Sequence, residues 1–301
     1  MYPWIDLYII KIPSFGLMVA FAFLVCNHLL KKEFPKNGLD SKIADDIIFY
    51  SIISAIIGSK LYHIIESGNY LQLYYSLESI FINIISFNFN DAFNDLQYLG
   101  SGLVFNGGFI CAILFIFIYL KNKKINFLRI LDIVGPFILL GHGIGRIGCL
   151  LVGDDYGIPT NLPWGISLEN GLPPTTIETF SEYGQFNYLG YSSSELQQFL
   201  VNGSNNVITV HPTQIYEMSL YFIGFYILRS KFNVLKHTLG QSSAYYLMYA
   251  GISRFMVEII RTNERYMFNF SSAQYVSIIL FIIGMILYFN LKKINELYGN
   301  N

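Results

Sequence analysis

Residues 128–151 read LRILDIVGPFILLGHGIGRIGCLL, an almost unbroken apolar run of 24 residues. A helix needs about 20 mostly apolar residues to cross the hydrocarbon core of a bilayer. The run therefore predicts a membrane-spanning helix. It also contains Asp132, His142 and Arg146, and ionisable groups inside a membrane are costly and usually functional or paired.

Six further segments meet the same standard. They are residues 14–30, 44–66, 103–120, 212–230, 241–260 and 274–291. The composition agrees, because 53% of the chain is hydrophobic and 13% is charged, whereas soluble domains carry about 25% charged residues. The net charge of −1 gives no reason to expect a nucleic-acid partner. We predict an all-α polytopic membrane protein with seven transmembrane helices in a single domain, residues 1–301.

The distribution of basic residues predicts the orientation of these helices, since cytoplasmic loops carry an excess of Lys and Arg. Basic residues follow the first, third, fifth and seventh spans, whereas residues 67–101 and 152–210 contain none. We therefore place the N-terminus outside, the C-terminus in the cytoplasm and residues 152–210 in a small extracytoplasmic cap. Within 67–101, the short apolar segment 75–88 is interpreted as an interfacial or re-entrant helix.

Polar residues gather at the outer ends of five predicted spans. They are Lys60, His63, Asn106, His142, Arg146, His211, Glu217, Arg254 and Glu258. Snorkelling of long side chains to the interface explains any one of them. The whole set favours a shared polar cavity that is open to the outer leaflet. Two arginines in it favour an anionic ligand, because guanidinium groups bind phosphate oxygens bidentately, and phospholipid head groups are the usual anions there.

Small residues allow close approach beside these polar groups. Gly141 and Gly145 have small-xxx-small spacing, and Gly148 extends roughly the same face, so helices or a ligand could approach closely. Gly107, Gly108 and Gly157 are interpreted similarly, as a close contact and a turn. Cys26, Cys111 and Cys149 show neither metal-ligand spacing nor a disulfide pattern, so we predict buried apolar roles and no metal site.

Three motifs resemble those of the prolipoprotein diacylglyceryl transferase family. They are GHGIGRIGCLLVGDDYG at 141–157, HPTQIYE at 211–217 and RFMVEIIR at 254–261. Weaker matches are FGLM at 15–18, GSKL at 58–61 and LVFNGG at 103–108. Their order and approximate spacing hold across nearly the whole chain.

The resemblance implies a transferase in the bacterial cytoplasmic (inner) membrane with its active site facing the outer leaflet. Such an enzyme moves the diacylglyceryl group of phosphatidylglycerol to the lipobox cysteine of an exported prolipoprotein, and it needs no metal or nucleotide cofactor. Arg146 and Arg254 would bind the lipid phosphate and then its leaving form. Glu217, Glu258 and Asp154 would orient the arginines or bind the glycerol head. The other residues that the resemblance assigns to substrate binding are Lys60, Asn106, Gly107, Gly108, Gly157, His211, Gln214, Tyr216, Tyr249 and Arg261.

The sequence departs from the family pattern in several places. Asn106 stands where many members carry a histidine proposed as the base, and an asparagine cannot accept the thiol proton. His142 is the first substitute to consider, one helical turn before Arg146, although a packed structural histidine remains the alternative. His211 is also interpreted as a residue that begins a helix before Pro212. Phe15, Lys60, Cys149, Val152, Asp154 and Tyr249 also differ from the usual residue or position.

Two other functional classes remain open at this point. A non-catalytic relative that binds phospholipid or lipoprotein would fit the missing histidine. A small anion transporter would also need a polar site, but transporters usually show internal repeats and broken helices near mid-membrane. The polar set here lies off-centre and no repeat is visible, so the transferase interpretation is preferred.

Overall fold

The computed structural model describes residues 2–6, 11–68, 70–88, 105–231 and 238–291, together with residues 91, 95 and 293. The chain divides into two compact units. One unit joins Met1–Gly38 with Leu128–Asn301, and the other is Leu39–Phe127.

Helices dominate the described part of the chain. They are α1 (Ser14–Glu33), α2 (Lys42–Ser67), α3 (Tyr70–Ile85), α4 (Phe105–Asn122), α5 (Phe127–Val152), α6 (Ile177–Phe180), α7 (Ser193–Leu196), α8 (Thr213–Lys231), α9 (Gln241–Glu258) and α10 (Ser272–Phe289). A small antiparallel hairpin, β1 (Trp4–Asp6) with β2 (Lys11–Pro13), precedes α1. This hairpin was not predicted from the sequence.

A helix overlaps most of each of the seven predicted spans, and α3 overlaps the segment interpreted as interfacial. Among the described residues, four helices are long and apolar enough to cross a membrane: Ser14–Asn37, Lys42–Ile65, Phe127–Val152 and Ser272–Phe289. The segment Gly107–Asn122 is apolar but shorter. The prediction of a multi-pass helical membrane protein is confirmed at this level, whereas the count of seven and the orientation stay predictions.

The Leu39–Phe127 unit is built on close packing of α2 against α4. A Cβ atom on Gly107 would lie 2.2 Å from Tyr62 Cβ, and one on Gly108 would lie 2.3 Å from Ser59 Oγ. On the facing helix, a Cβ on Gly58 would lie 2.4 Å from Cys111 Cβ. Glycine is therefore required on both sides of this contact. The close contact that was predicted at Gly107 and Gly108 is present between these two helices.

The larger unit also uses glycines where its helices meet, but on α5 the tightest glycine lies outside the predicted face of Gly141, Gly145 and Gly148. A Cβ on Gly143 would lie 2.5 Å from Phe222 of α8, and one on Gly148 would lie 3.1 Å from Phe15 of α1. Gly141 would keep ordinary contact with Cys26, and nothing lies within 4 Å of a Cβ on Gly145. Gly145 thus does not pack against the described residues.

Asp132 joins two helices at the end of the bundle away from the arginines. Its side chain is 3% exposed, and it accepts hydrogen bonds from the backbone N–H groups of Gly240 and Ser243, both at 2.7 Å. The Ser243 hydroxyl donates a third bond at 2.5 Å. Asp132 of α5 therefore caps the first turn of α9, where unpaired N–H groups and the helix dipole favour a carboxylate.

The cap, residues 152–210, has a hydrophobic core of its own. Its buried members are Tyr156, Leu168, Phe180, Phe186, Leu196, Ile208 and Val210. The cap contains the short helix α7, which begins with a capping box in which Ser192 and Glu195 satisfy each other's backbone N–H groups.

Candidate active site

Three arginines meet where α5, α8, α9 and the segment after α9 come together. Arg146 lies on α5, Arg254 lies on α9, and Arg261 follows the end of α9. Their side chains are 19%, 21% and 4% exposed respectively. Cations buried this deeply need partners of opposite charge, and three carboxylates supply them. We call these six side chains the arginine cluster: Arg146, Arg254, Arg261, Asp155, Glu217 and Glu258.

Glu217 of α8 is the central carboxylate of the arginine cluster, and its side chain is fully buried. Its Oε1 lies 2.9 Å from Arg254 NH1, and its Oε2 lies 2.9 Å from Arg146 Nε. Arg261 NH1 approaches Oε2 at 3.5 Å, and the Tyr221 hydroxyl donates to Oε1 at 2.8 Å. One carboxylate therefore orients all three guanidinium groups.

Glu258 is also fully buried and holds the other side of Arg254. The two residues are four positions apart on α9, so their side chains lie on one helical face, and Arg254 NH2 is 2.9 Å from Glu258 Oε2. Asn263 and Ser271 donate to Glu258 Oε1 at 2.6 and 2.7 Å. These bonds fix Glu258 and, through it, Arg254.

Asp155 is the third carboxylate of the cluster and the most exposed, at 37%. Its Oδ2 lies 2.5 Å from Arg146 NH1, and its Oδ1 pairs with Arg261 NH2. Burial alone would raise the pKa of Asp155, but Arg261 and Arg146 outweigh burial and lower it to about 2. The carboxylate is therefore ionised at neutral pH.

Asp154, a predicted site residue, lies beside the cluster. Burial, followed by the charge of Asp155, raises the pKa of Asp154 to about 6. Its backbone carbonyl accepts a hydrogen bond from Gln214 Nε2 at 2.5 Å. Asp154 Oδ1 and Gln214 Oε1 are buried acceptors without a hydrogen-bond donor in the part of the chain that the structure describes.

Gly157 lets the cap approach the end of α9. A Cβ on Gly157 would lie 2.5 Å from the Ile260 carbonyl oxygen and 2.8 Å from His211 Cβ, and Gly157 forms a β-bridge with Arg261. Any larger residue would push the segment that carries Arg261 away from the cap. Gly157 was interpreted from the sequence as a turn, and the structure shows a close approach to the end of α9 there.

A polar and aromatic group flanks the start of α8. Trp164 of the cap donates from Nε1 to the Tyr216 hydroxyl at 2.7 Å, and His211 Nδ1 lies 3.4 Å from the same hydroxyl. Partial burial lowers the pKa of His211, so its imidazole is neutral at pH 7. His211 and Tyr216 were predicted from the sequence as site residues, whereas Trp164 was not.

His142 and Cys149 reach the cluster differently. His142 contacts the Tyr221 ring edge-on, with centroids 5.4 Å apart, and Tyr221 in turn binds Glu217. The buried Cys149 thiol lies 3.3 Å from Arg146 NH1 and 3.7 Å from Asp155 Oδ2. Cys149 is buried as predicted, but it contacts charged groups, which an apolar role did not anticipate.

Other predicted residues have structural contacts within one helix pair or belong to the Leu39–Phe127 unit. The Tyr249 hydroxyl donates to the Leu220 carbonyl at 2.6 Å, which ties α9 to α8. Lys60 lies on α2 and is half-buried, and Gly107 and Gly108 pack against that helix. The side chain of Asn106 lies outside the described residues.

Cys149, Asp154 and Asp155 present donor atoms within 4.8 Å of one another, a spacing that could suit a metal ion. Both oxygens of Asp155 already face guanidinium groups, and these positive charges oppose a cation. The chemistry of the site instead suits an anion, because terminal nitrogens of Arg146 and Arg261 both contact Asp155, the most exposed carboxylate of the cluster.

The sequence also matches known proteins along almost its whole length. The profile of the family "Prolipoprotein diacylglyceryl transferase" matches residues 4–290. A protein of Finegoldia magna named phosphatidylglycerol–prolipoprotein diacylglyceryl transferase is 28% identical over 284 residues, which cover 94% of this chain and 93% of that protein. Proteins of the same name from Clostridium tetani (29% identical; 97% of each chain) and Bordetella avium (27% identical; 91% of this chain and 88% of that one) are similar.

Proposed function

The chain belongs to the prolipoprotein diacylglyceryl transferase family, and on that premise we propose that it transfers the diacylglyceryl group of phosphatidylglycerol to a prolipoprotein. The acceptor is the lipobox cysteine of an exported prolipoprotein, and the step is the first of lipoprotein maturation. The thiol sulfur forms a bond to the terminal glycerol carbon of the diacylglyceryl group. The bond between that carbon and the phosphate oxygen breaks, and glycerol phosphate leaves.

The arginine cluster is the observation that carries this proposal. Negative charge grows on the phosphate as the carbon–oxygen bond breaks, and fixed cations aimed at that charge stabilise the transition state. Arg146 and Arg261 each pair with Asp155, the most exposed carboxylate of the cluster, while Glu217 and Glu258 hold Arg254 from two directions. The guanidinium groups are therefore oriented before the lipid arrives.

Two buried acceptors support recognition of the glycerol head group. Asp154 Oδ1 and Gln214 Oε1 have no donor among the described residues, and buried polar atoms normally have one. The head group of phosphatidylglycerol carries two hydroxyl groups that can donate. We assign Asp154 and Gln214 to these hydroxyls, with Tyr216 and His211 at the mouth of the site.

The thiol must lose its proton before it can attack, because a free cysteine has a pKa of about 8.5 and the thiolate is the nucleophile. Asn106 cannot accept that proton. His142 remains our proposal for the acceptor, because it lies on the face of α5 that carries Arg146 and touches Tyr221. Its alternative role is to pack against Tyr221 and so steady Glu217.

The distribution of Lys and Arg supports a seven-span protein in the bacterial cytoplasmic membrane with residues 152–210 outside. The arginine cluster joins the first residues after α5 to the start of α8 and the end of α9. In that orientation the site faces the outer leaflet, where an exported prolipoprotein and the lipid can both reach it.

The proposal is tested with the purified protein in detergent, labelled phosphatidylglycerol and a synthetic lipobox peptide. Wild type should form a peptide with a thioether-linked diacylglyceryl group, and Arg254→Ala should not. A strong loss in His142→Ala, with normal lipid binding, would assign the proton acceptor. The matched control Arg229→Ala removes an arginine that pairs with Glu33 and should leave transfer unchanged.

A lipid-binding protein without catalysis is the second candidate, and the replacement of the usual histidine by Asn106 favours it. Such a protein would bind phosphatidylglycerol in an Arg146-dependent way and form no thioether product in the same assay.

A further inference from the structure

The arginine cluster has no excess positive charge in this structure. Three arginines are paired with three carboxylates, Asp155, Glu217 and Glu258, so their formal charges sum to zero. A phosphodiester that entered this site would add one negative charge to a partly buried, balanced cluster. Desolvated charge without a counter-charge is strongly unfavourable, so one carboxylate must withdraw for an anion to bind well.

Exposure identifies the carboxylate that can withdraw. Glu217 and Glu258 are fully buried and are held by further hydrogen bonds from Tyr221, Asn263 and Ser271. Asp155 is 37% exposed. Among the described residues, its side chain is held by Arg146 and Arg261 and otherwise makes only a weak contact with Cys149. Asp155 can therefore leave its arginines for water at the smallest cost.

The backbone around Asp155 allows such a movement without disturbing the site. The Asp155 carbonyl accepts a hydrogen bond from the Thr213 hydroxyl at 2.6 Å, and the adjoining chain is fixed by the bond from Gly157 N–H to the His211 carbonyl at 2.9 Å. Asp155 has φ of 59°, a left-handed conformation that aspartate tolerates better than most residues. With the backbone held, rotation about the two side-chain bonds moves the carboxylate.

We propose that Asp155 is an exchangeable counter-ion that occupies the phosphate position of the empty site. Its two oxygens hold Arg146 NH1 and Arg261 NH2, and the lipid phosphate takes over these two nitrogens with two of its own oxygens. When the glycerol phosphate product leaves, Asp155 returns to the arginines and opposes rebinding. The residue thus sets the affinity for both substrate and product. This inference rests on the proposed function, because it takes a phosphodiester as the ligand.

The test compares wild type with Asp155→Asn in lipid binding and product inhibition. Dissociation constants are measured for phosphatidylglycerol in nanodiscs of phosphatidylcholine, and inhibition constants are measured for glycerol phosphate. Loss of the competing charge should tighten both by about tenfold, the effect of one charge-assisted hydrogen bond. Asp155→Glu keeps the charge and should bind the lipid within threefold of wild type. Glu182→Gln, an exposed carboxylate in the cap, is the matched control and should change neither constant.

The alternative is that Asp155 serves only to hold the arginines in place. The dissociation and inhibition constants of Asp155→Asn distinguish this role from that of an exchangeable counter-ion. Unchanged or weaker binding in Asp155→Asn would overturn the proposal. If that variant does not fold, Asp155→Ser frees the same two nitrogens and gives the same comparison. If wild type binds phosphatidylglycerol but forms no thioether product, the transferase function fails, and the binding constants still decide the role of Asp155.

Discussion

Arg254→Lys isolates the geometry of the guanidinium group from its charge. Arg254 contacts two carboxylates, because NH1 donates to Glu217 Oε1 and NH2 forms an ion pair with Glu258 Oε2, both at 2.9 Å. A lysine ammonium keeps the charge but occupies one point, so it can hold only one of these carboxylates in that geometry. The other contact is lost, and if this is the contact with Glu258, the Glu258 carboxylate retains only the ion pair with Arg261 Nε at 3.7 Å among the described arginines.

The size of the effect follows from the lost contact. A hydrogen bond to a charged group contributes about 1.5–3 kcal/mol, and about 1.36 kcal/mol changes a rate tenfold. We therefore expect Arg254→Lys to lower kcat/KM by roughly 10- to 100-fold. Arg254→Ala also removes the charge and leaves two buried carboxylates short of a partner, which costs about 3–5 kcal/mol. That variant should lose two to four orders of magnitude.

Initial rates of thioether formation in detergent measure this effect, with the melting temperature of each variant recorded to confirm folding. Arg229→Lys is the matched control, because Arg229 is 39% exposed and contacts a single carboxylate, Glu33. It should stay within twofold of wild type. A rate within threefold of wild type for Arg254→Lys would refute the argument from bidentate geometry.

Three further predictions concern stability and pH. Gly157→Ala should lower the free energy of unfolding by about 1–3 kcal/mol, the usual cost of overpacking, since its Cβ would lie 2.5 Å from the Ile260 carbonyl oxygen. Gly145→Ala, whose Cβ meets nothing within 4 Å, should not lower the melting temperature, and equal losses in both variants would contradict this. The raised pKa of Asp154, about 6, means that its stabilising contribution is present at low pH and is lost as the pH rises through 6. The melting temperature of wild type should therefore fall more between pH 4.5 and 7.5 than that of Asp154→Asn. Asp155 does not titrate in this range, because its pKa is lowered to about 2. An equal change of melting temperature with pH in the two proteins would count against the prediction. Asp132→Ala should destabilise the protein by about 1–3 kcal/mol, because it leaves buried N–H groups at the start of α9 unpaired. Thermal unfolding against the exposed control Asp40→Ala checks this, and an unchanged midpoint would show that water replaces the cap.

Much of the arginine cluster could be predicted from the sequence, because helical spacing and membrane depth are simple functions of position. Arg254 and Glu258 are four residues apart on a predicted span, so they had to share a face, and Arg146 and Glu217 lay at the same predicted depth. Depth in the membrane alone does not predict which carboxylate pairs with which arginine. That Glu217 contacts all three arginines depends on how α5, α8 and α9 pack.

The role of Asp155 could not be predicted, because two adjacent aspartates follow α5 and either could have faced the arginines. Positive φ angles at Gly153 (76°) and Asp155 (59°) turn the chain after the helix, and the composition of the loop does not specify these angles. Tyr249, a predicted site residue, has no described contact with the arginine cluster, for a related reason. The direction of its hydroxyl depends on the tight contact between its ring and Gly224. This contact joins α9 to α8, so the sequence of α9 alone does not specify it.

The order of charges along the chain bears on how the protein is made. Arg146, Asp155, Glu217, Arg254, Glu258 and Arg261 emerge from the ribosome in that order, and every charge after the first finds a residue of opposite sign already synthesised. The helices α8 and α9 are not among the four that are apolar enough to cross a membrane by composition. We therefore expect the stable insertion of these two predicted spans to depend on α5, with ion pairing during synthesis adding to the modest hydrophobicity of their own sequences.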